Sequence, residues 1–184
     1  NGISSNYKYD FSNEKEISIL WDSSYLGNYT RENYSPKALF SSTIGDELKI
    51  ASKGRSDVYA IAPNVEAAIL SAGHAANGAF WIDNLNGKWA TTTYYKSVPW
   101  YVERYNSGTE SLSARLDKMV WTPSLPLDKL NAFPYTLDEI PFKYTFNERD
   151  VACYPRLKTT PFVNKEVNRL AMQFLEYAGF GTRT

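Results

Sequence analysis

The sequence predicts an α/β fold, a mixed sheet with helices packed on it, and three features carry that expectation. From Gly45 to Tyr95 the signals of helix, strand, helix and hairpin follow one another without a gap. Val58 to Ala62 is a nearly continuous apolar run, the pattern of a strand covered on both faces. Near the end of the chain Val167, Leu170, Ala171, Phe174, Leu175 and Ala178 recur at helical spacing and form one apolar face.

In chain order, residues 1–34 are rich in Asn, Ser and Tyr and read as a surface excursion, with Ile17, Ile19 and Trp21 alternating as a short strand. Ser35-Pro36-Lys37-Ala38-Leu39 carries an N-cap followed by proline at the first helical position, so a helix is expected to begin there. Thr43 and Asp46 form a capping-box-like start for a helix from about Ile44 to Ser52, which Gly54 stops. Pro63 ends the strand that follows. Asn64 can cap a second short helix through Leu70, with Gly73 as its C-terminal stop. Phe80–Asp83 and Lys88–Tyr95 read as two strands around Asn84, Leu85, Asn86 and Gly87, the Asn-Gly pair marking a tight turn. Val98-Pro99-Trp100 opens another short helix to about Asn106.

Prolines 123, 126, 134, 141 and 155 break residues 107–160 into short extended pieces such as Lys118–Trp121 and Phe142–Phe146. This stretch reads as a loop-rich lid or connector. Asn164 caps the last helix and Gly179 stops it. The expected organisation is a single domain over residues 1–184, with an α/β unit at 35–106, the lid or connector at 107–160 and the terminal helix at 161–184.

A chain of 184 residues can bury roughly 70 % of its unfolded surface in one core. Its 20 basic and 20 acidic residues balance, and no basic run or nucleic-acid motif spacing occurs. Nucleic-acid-specific binding is therefore set aside. The 14 tyrosines and 5 tryptophans read as half-buried packing in a mixed sheet, with a sugar- or base-stacking surface as the alternative. Cys153 has no second cysteine to pair with and reads as a buried structural thiol. No apolar stretch approaches the about 18 residues of a membrane span. The absence of an initiator Met at Asn1 points to a processed or excised chain.

The segments SPKALFSSTIGDELKIAS, DVYAIAP, EAAILSAGHAANGAFWID, GKWATTTYY and VPWYVERYN resemble the middle of bacterial phosphatases and phosphodiesterases of the alkaline phosphatase superfamily. The ILSAGH and GAFW blocks are the specific parts, and the type I phosphodiesterase/nucleotide pyrophosphatase branch fits best. The resemblance covers most of residues 35–178 and is loose in the proline-rich stretch. It implies hydrolysis of phosphate esters with two zinc ions held by Asp and His ligands, which lower the pKa of bound oxygen nucleophiles. It also implies a Thr or Ser nucleophile at a helix start. His74 is this chain's one histidine, too few for a two-zinc site.

The chain is therefore expected to be an internal segment of a larger hydrolase, the substrate side of its pocket, inactive alone. Its partners are then the flanking metal-binding parts of the same polypeptide and a phosphodiester or pyrophosphate small molecule. The resemblance places no catalytic residue and no cofactor in the segment itself, two zinc ions in the full-length enzyme, and the whole in the periplasm or another extracytoplasmic space. The contrasting expectation is a non-catalytic binding or lid module that recognises a glycan or nucleotide through its aromatic residues.

In monoesterase members of that family a Lys and an Arg, two positions apart, lie between the strand and the block matching ILSAGH, where paired cations hold non-bridging oxygens. The matching positions here are Asn64 and Glu66. A carboxylate there disfavours a monoester dianion and leaves a diester, a pyrophosphate or a non-phosphate ester. Lys53 and Arg55 are also two apart, in the loop before the strand, and stand as the alternative cationic pair. His74 reads as an imidazole fixing the turn at a helix end, with a pocket role as the alternative. Asn64 is either a cap or a substrate contact. Glu66 is either a first-turn acid favoured by the helix dipole or a pocket carboxylate. Asp138, Glu139, Glu148 and Asp150 read as solvated loop charges, and Thr91, Thr92 and Thr93 as strand residues with no base at a defined spacing.

Overall fold

Thr43 and Asp46 close a reciprocal capping box at the start of helix α1 (Ile44–Ala51). Thr43 Oγ1 accepts the Asp46 N–H at 3.1 Å, and the Asp46 carboxylate accepts the Thr43 N–H at 2.9 Å. Two orphan donors of the helix start are thereby satisfied. Gly54, at φ 80°, turns the chain out of the helix. The computed structural model describes residues 3–122, 136–137, 140–141, 145–147 and 149–180.

Two N-terminal strands, β1 (Tyr7–Asp10) and β2 (Lys15–Ser18), pair as an antiparallel hairpin. The main sheet uses β3 (Gly27–Asn28), β4 (Tyr59–Ile61), β5 (Gly78–Ile82) and β6 (Trp89–Thr92) in the order β3-β6-β5-β4. β4 and β5 are parallel, joined through helix α2 (Val65–Ala72), and the other neighbours are antiparallel. Helix α3 (Trp100–Ser107) follows, then the short α4 (Leu112–Arg115), a small pair β7 (Thr136–Leu137) and β8 (Ile140–Pro141), α5 (Cys153–Lys158) and the long α6 (Phe162–Tyr177). The mixed α/β fold expected from the sequence is present.

The expectation of a strand covered on both faces falls on the wrong strand. Tyr59, Ala60 and Ile61 are half-buried because β4 ends the sheet among the described residues, whereas all of β5 is buried. Side chains on β5 alternate between two cores, as the two-residue period of a strand requires. Phe80 and Ile82 join Trp89, Val102, Leu157, Leu170 and Phe174 on one face. Ala79 and Trp81 join Leu20, Ile69, Ala72 and Ala90 on the other.

Other expectations shift for local reasons. No helix forms at Ser35, only a single turn from Pro36 to Leu39: the Ser35 hydroxyl accepts the Lys37 N–H at 3.2 Å as a cap would and also donates to Asp22, while the Ser35 N–H pairs with Leu20. β6 stops at Thr92, and Thr93–Tyr95 form a 3-10 turn, since Thr93 N–H pairs with Leu26 O and Lys96 takes φ 72°. α6 starts at Phe162 with Pro161 before it, three positions earlier than an Asn164 cap allows. Residues 1–34 are more than an excursion: β3 belongs to the main sheet and Leu20 is fully buried. Of Lys118–Trp121, Lys118 closes a 3-10 turn and Val120 bridges Thr145. Phe142–Tyr144 lie outside the described residues, while Leu112, Leu116, Phe146 and Cys153 are core.

Candidate functional site

The parallel strands β4 and β5 end side by side, and the chain leaving each lines one cleft of about 150 Å³. Asn64 and Glu66 enter it from the β4 side, and Asp83 and Asn84 from the β5 side. Tyr34 lines it from the N-terminal segment and Lys158 from the end of α5. In open α/β sheets the crevice beyond the carboxyl ends of the strands is where loops converge on ligands.

Asn64 holds the N-cap position of α2 with extended backbone, φ −109° and ψ 147°, yet its side chain makes no capping bond. Its exposed amide is a wall of the cleft. Glu66 sits half-buried in the first turn of α2, where the helix dipole favours an acid, and no described residue bonds to its carboxylate. Asp83 is buried and turns inward, its Oδ1 accepting the N–H groups of Leu85 and Asn86 at 2.9 Å each, which shapes the β5–β6 hairpin.

Lys158 is the group that reading along the sequence misses. Its Nζ donates to Ile82 O at 2.7 Å and to Asn84 Oδ1 at 2.6 Å, partners 76 and 74 residues away. Burial pushes its pKa down to about 8, against the pull of Asp83 and Glu66. It lies in the proline-broken stretch, where no motif flags it; only the docking of α5 under β5 brings it to the cleft.

The remaining candidates lie elsewhere. His74 follows the opposite end of α2, about 12 Å of helix from Asn64. Its N–H and that of Ala75 donate to Asp46 Oδ1 at 2.9 and 2.7 Å, and its Nδ1 is 3.6 Å from Asp46 Oδ2. Tyr95 donates to Gly73 O at 2.9 Å and Tyr94 to His74 O at 3.0 Å. The ILSAGH block is thus a structural joint, with Gly73 at φ 73° packed directly on the Asp46 carboxylate. Lys53 and Arg55 are exposed on the turn before β4, at the amino end of the strand and away from the cleft.

Thr91 and Thr92 are buried in β6. Cys153 is buried, its thiol pushed up by burial. Asp150 pairs with Arg156, while Asp138, Glu139 and Glu148 lie outside the described residues. Among the described residues no three His, Cys, Asp or Glu side chains converge as metal ligands. No described helix is long and apolar enough to cross a membrane.

A mixed sheet whose parallel pair ends in a polar cleft defines an α/β protein, a class in which ligands bind beyond the carboxyl ends of the strands. No protein-family model matches the chain. Curated relatives do. A protein named calcium-transporting ATPase from Myroides odoratus is 37% identical over 123 residues, 66% of this chain and 22% of its own length. Alkaline phosphatase PhoV of Synechococcus elongatus is 29% identical over 175 residues, 93% of this chain and 31% of its own. Alkaline phosphatase PafA of Elizabethkingia meningoseptica is 34% identical over 133 residues, 70% of this chain and 24% of its own. The crystal structure of wild-type PafA matches 98% of this chain and 37% of its own, with a TM-score of 0.75 at 28% identity. The chain belongs to the alkaline phosphatase superfamily. It spans between 22% and 31% of the length of the curated relatives it matches.

Proposed function

We propose that this chain is the substrate-side segment of a zinc-dependent phosphoric ester hydrolase, inactive alone, that prefers phosphodiesters or pyrophosphates to monoesters. The observation that carries the preference is the pairing of Asn64 and Glu66 on the first turn of α2, both lining the cleft. A monoester brings two negative charges to the reacting phosphorus and a diester one. The Glu66 carboxylate repels the first more strongly than the second, and in a partly desolvated cleft that difference is larger than in water.

The phosphatase relatives support a phosphate ester as the substrate class. The nucleophile and the zinc ligands belong, on this reading, to the flanking parts of the same polypeptide, in the periplasm or another extracytoplasmic space. The full-length protein is expected to cleave an activated aryl phosphodiester faster than the matching monoester. Replacing Asn64 by Lys and Glu66 by Arg is expected to move the ratio of kcat/KM values toward the monoester by about 100-fold. A wild-type preference for the monoester overturns the reading.

A further inference from the structure

The proposed function leaves Lys158 without a part, yet its geometry is unusual for a structural lysine. Its half-buried side chain lines the cleft, and both acceptors of its ammonium, Ile82 O and Asn84 Oδ1, are neutral. An ammonium has three N–H bonds, so one is left beyond these two. No described carboxylate lies within the 4.0 Å of an ion pair. Asp83 and Glu66 act on it from longer range, and Arg31 and Glu32 stand exposed at the rim. Among the described residues this partly buried charge is held by neutral oxygens with carboxylates only at longer range, and burial pushes its pKa down.

We infer that Lys158 is the partly buried cation of this cleft, holding a non-bridging oxygen of a phosphoester monoanion opposite Asn64 and Glu66. The inference rests on the proposed function and deepens it. The first turn of α2 supplies no cation, and α5 supplies one from across the cleft. Arg31 and Lys158 face Glu32, Glu66 and Asp83, so the lining has no excess of positive charge and favours an anion of single charge over a dianion. Lys158 is then a substrate-binding residue, and Asn84 and Ile82 position it.

The test is titration of dimethyl phosphate, a monoanion at neutral and alkaline pH, into the full-length polypeptide carrying this segment, with lysine labelled for NMR. The Lys158 resonance, assigned by its absence in Lys158→Arg, is expected to move on binding. Lys158→Gln is expected to raise Kd at least about tenfold, and Lys158→Arg to stay within about threefold of wild type. Wild-type affinity should fall as pH rises through about 8, where the amine loses its proton, while Lys158→Arg stays flat. Should Lys158→Gln not fold, the wild-type resonance and the arginine variant decide alone. An unmoved resonance, or a Lys158→Gln variant that melts lower but binds dimethyl phosphate as wild type does, overturns the inference and leaves the diester preference standing. A monoester preference in wild-type turnover overturns that preference and leaves this titration to be judged by itself.

Discussion

Asp46 accepts main-chain N–H groups from two segments far apart in the chain: Thr43 through Oδ2, and His74 and Ala75 through Oδ1. Burial pushes its pKa up, but the bonds from Thr43, Ala75 and His74 outweigh that and hold it below the ordinary carboxylate value. A carboxylate with a depressed folded pKa stabilises fully above its unfolded value, near about 4, and loses that contribution as pH falls through the folded value. Unfolding free energies measured from neutral pH downward should therefore drop for the wild type below about pH 4 and drop less for Asp46→Asn, which starts lower by about 1 kcal/mol or more. Gly73 belongs to the same joint. A Cβ there would overlap Asp46 and Thr43 at a positive φ. Gly73→Ala is expected to cost about 2–4 kcal/mol in chemical denaturation. The glycine and the cap are legible in the sequence as helix punctuation. That both close on one carboxylate is not, because Asp46 and Ala75 lie 29 residues apart.

Helix α6 is tied to its neighbours by one buried carboxylate. Glu166 is fully buried, with Oε1 accepting from Arg115 at 2.6 Å and Oε2 from Tyr105 at 2.8 Å, so α6, α3 and α4 share a polar pin. The apolar spacing marks Leu170 and Phe174 as inward, and both are buried; Leu175, on the same expected face, is 63% exposed. Nothing in the spacing marks Glu166, since an acid on a helix reads as solvated until a partner from elsewhere meets it. Arg115→Met leaves that acid buried with only the half-exposed Arg169 Nε, 3.8 Å from Oε1, as a cation, and should cost about 2–4 kcal/mol by denaturant unfolding. Adding Glu166→Leu to it should recover most of the loss, since no charge then remains to desolvate.

At the scale of the whole molecule the sheet joins two cores through β5. Trp81 faces one core and Phe80 the other, with Phe174 packed on Phe80 at 5.1 Å between ring centroids. Truncating either side removes contacts from the same strand. Trp81→Ala and Phe174→Ala should each cost about 3–5 kcal/mol. Each should lower one shared melting transition, seen together by circular dichroism and tryptophan fluorescence; two separated transitions would show the cores to be independent.

The sequence by itself determined what is written within a turn or two of chain: the capping box at Thr43, the stop at Gly54, the hairpin at Asn86-Gly87, the apolar stripe of α6 and the family they belong to. Such signals are legible because caps, turns and periodic faces are settled by neighbours a few residues away. Tertiary structure alone decided which strand is covered on both faces, that Asn64 occupies a cap position without capping, and that Lys158 rather than Lys53 or Arg55 lines the cleft with Asn64 and Glu66. Burial and the charge of a cleft are sums over segments far apart in sequence, and only the packed chain brings those segments within reach of one another.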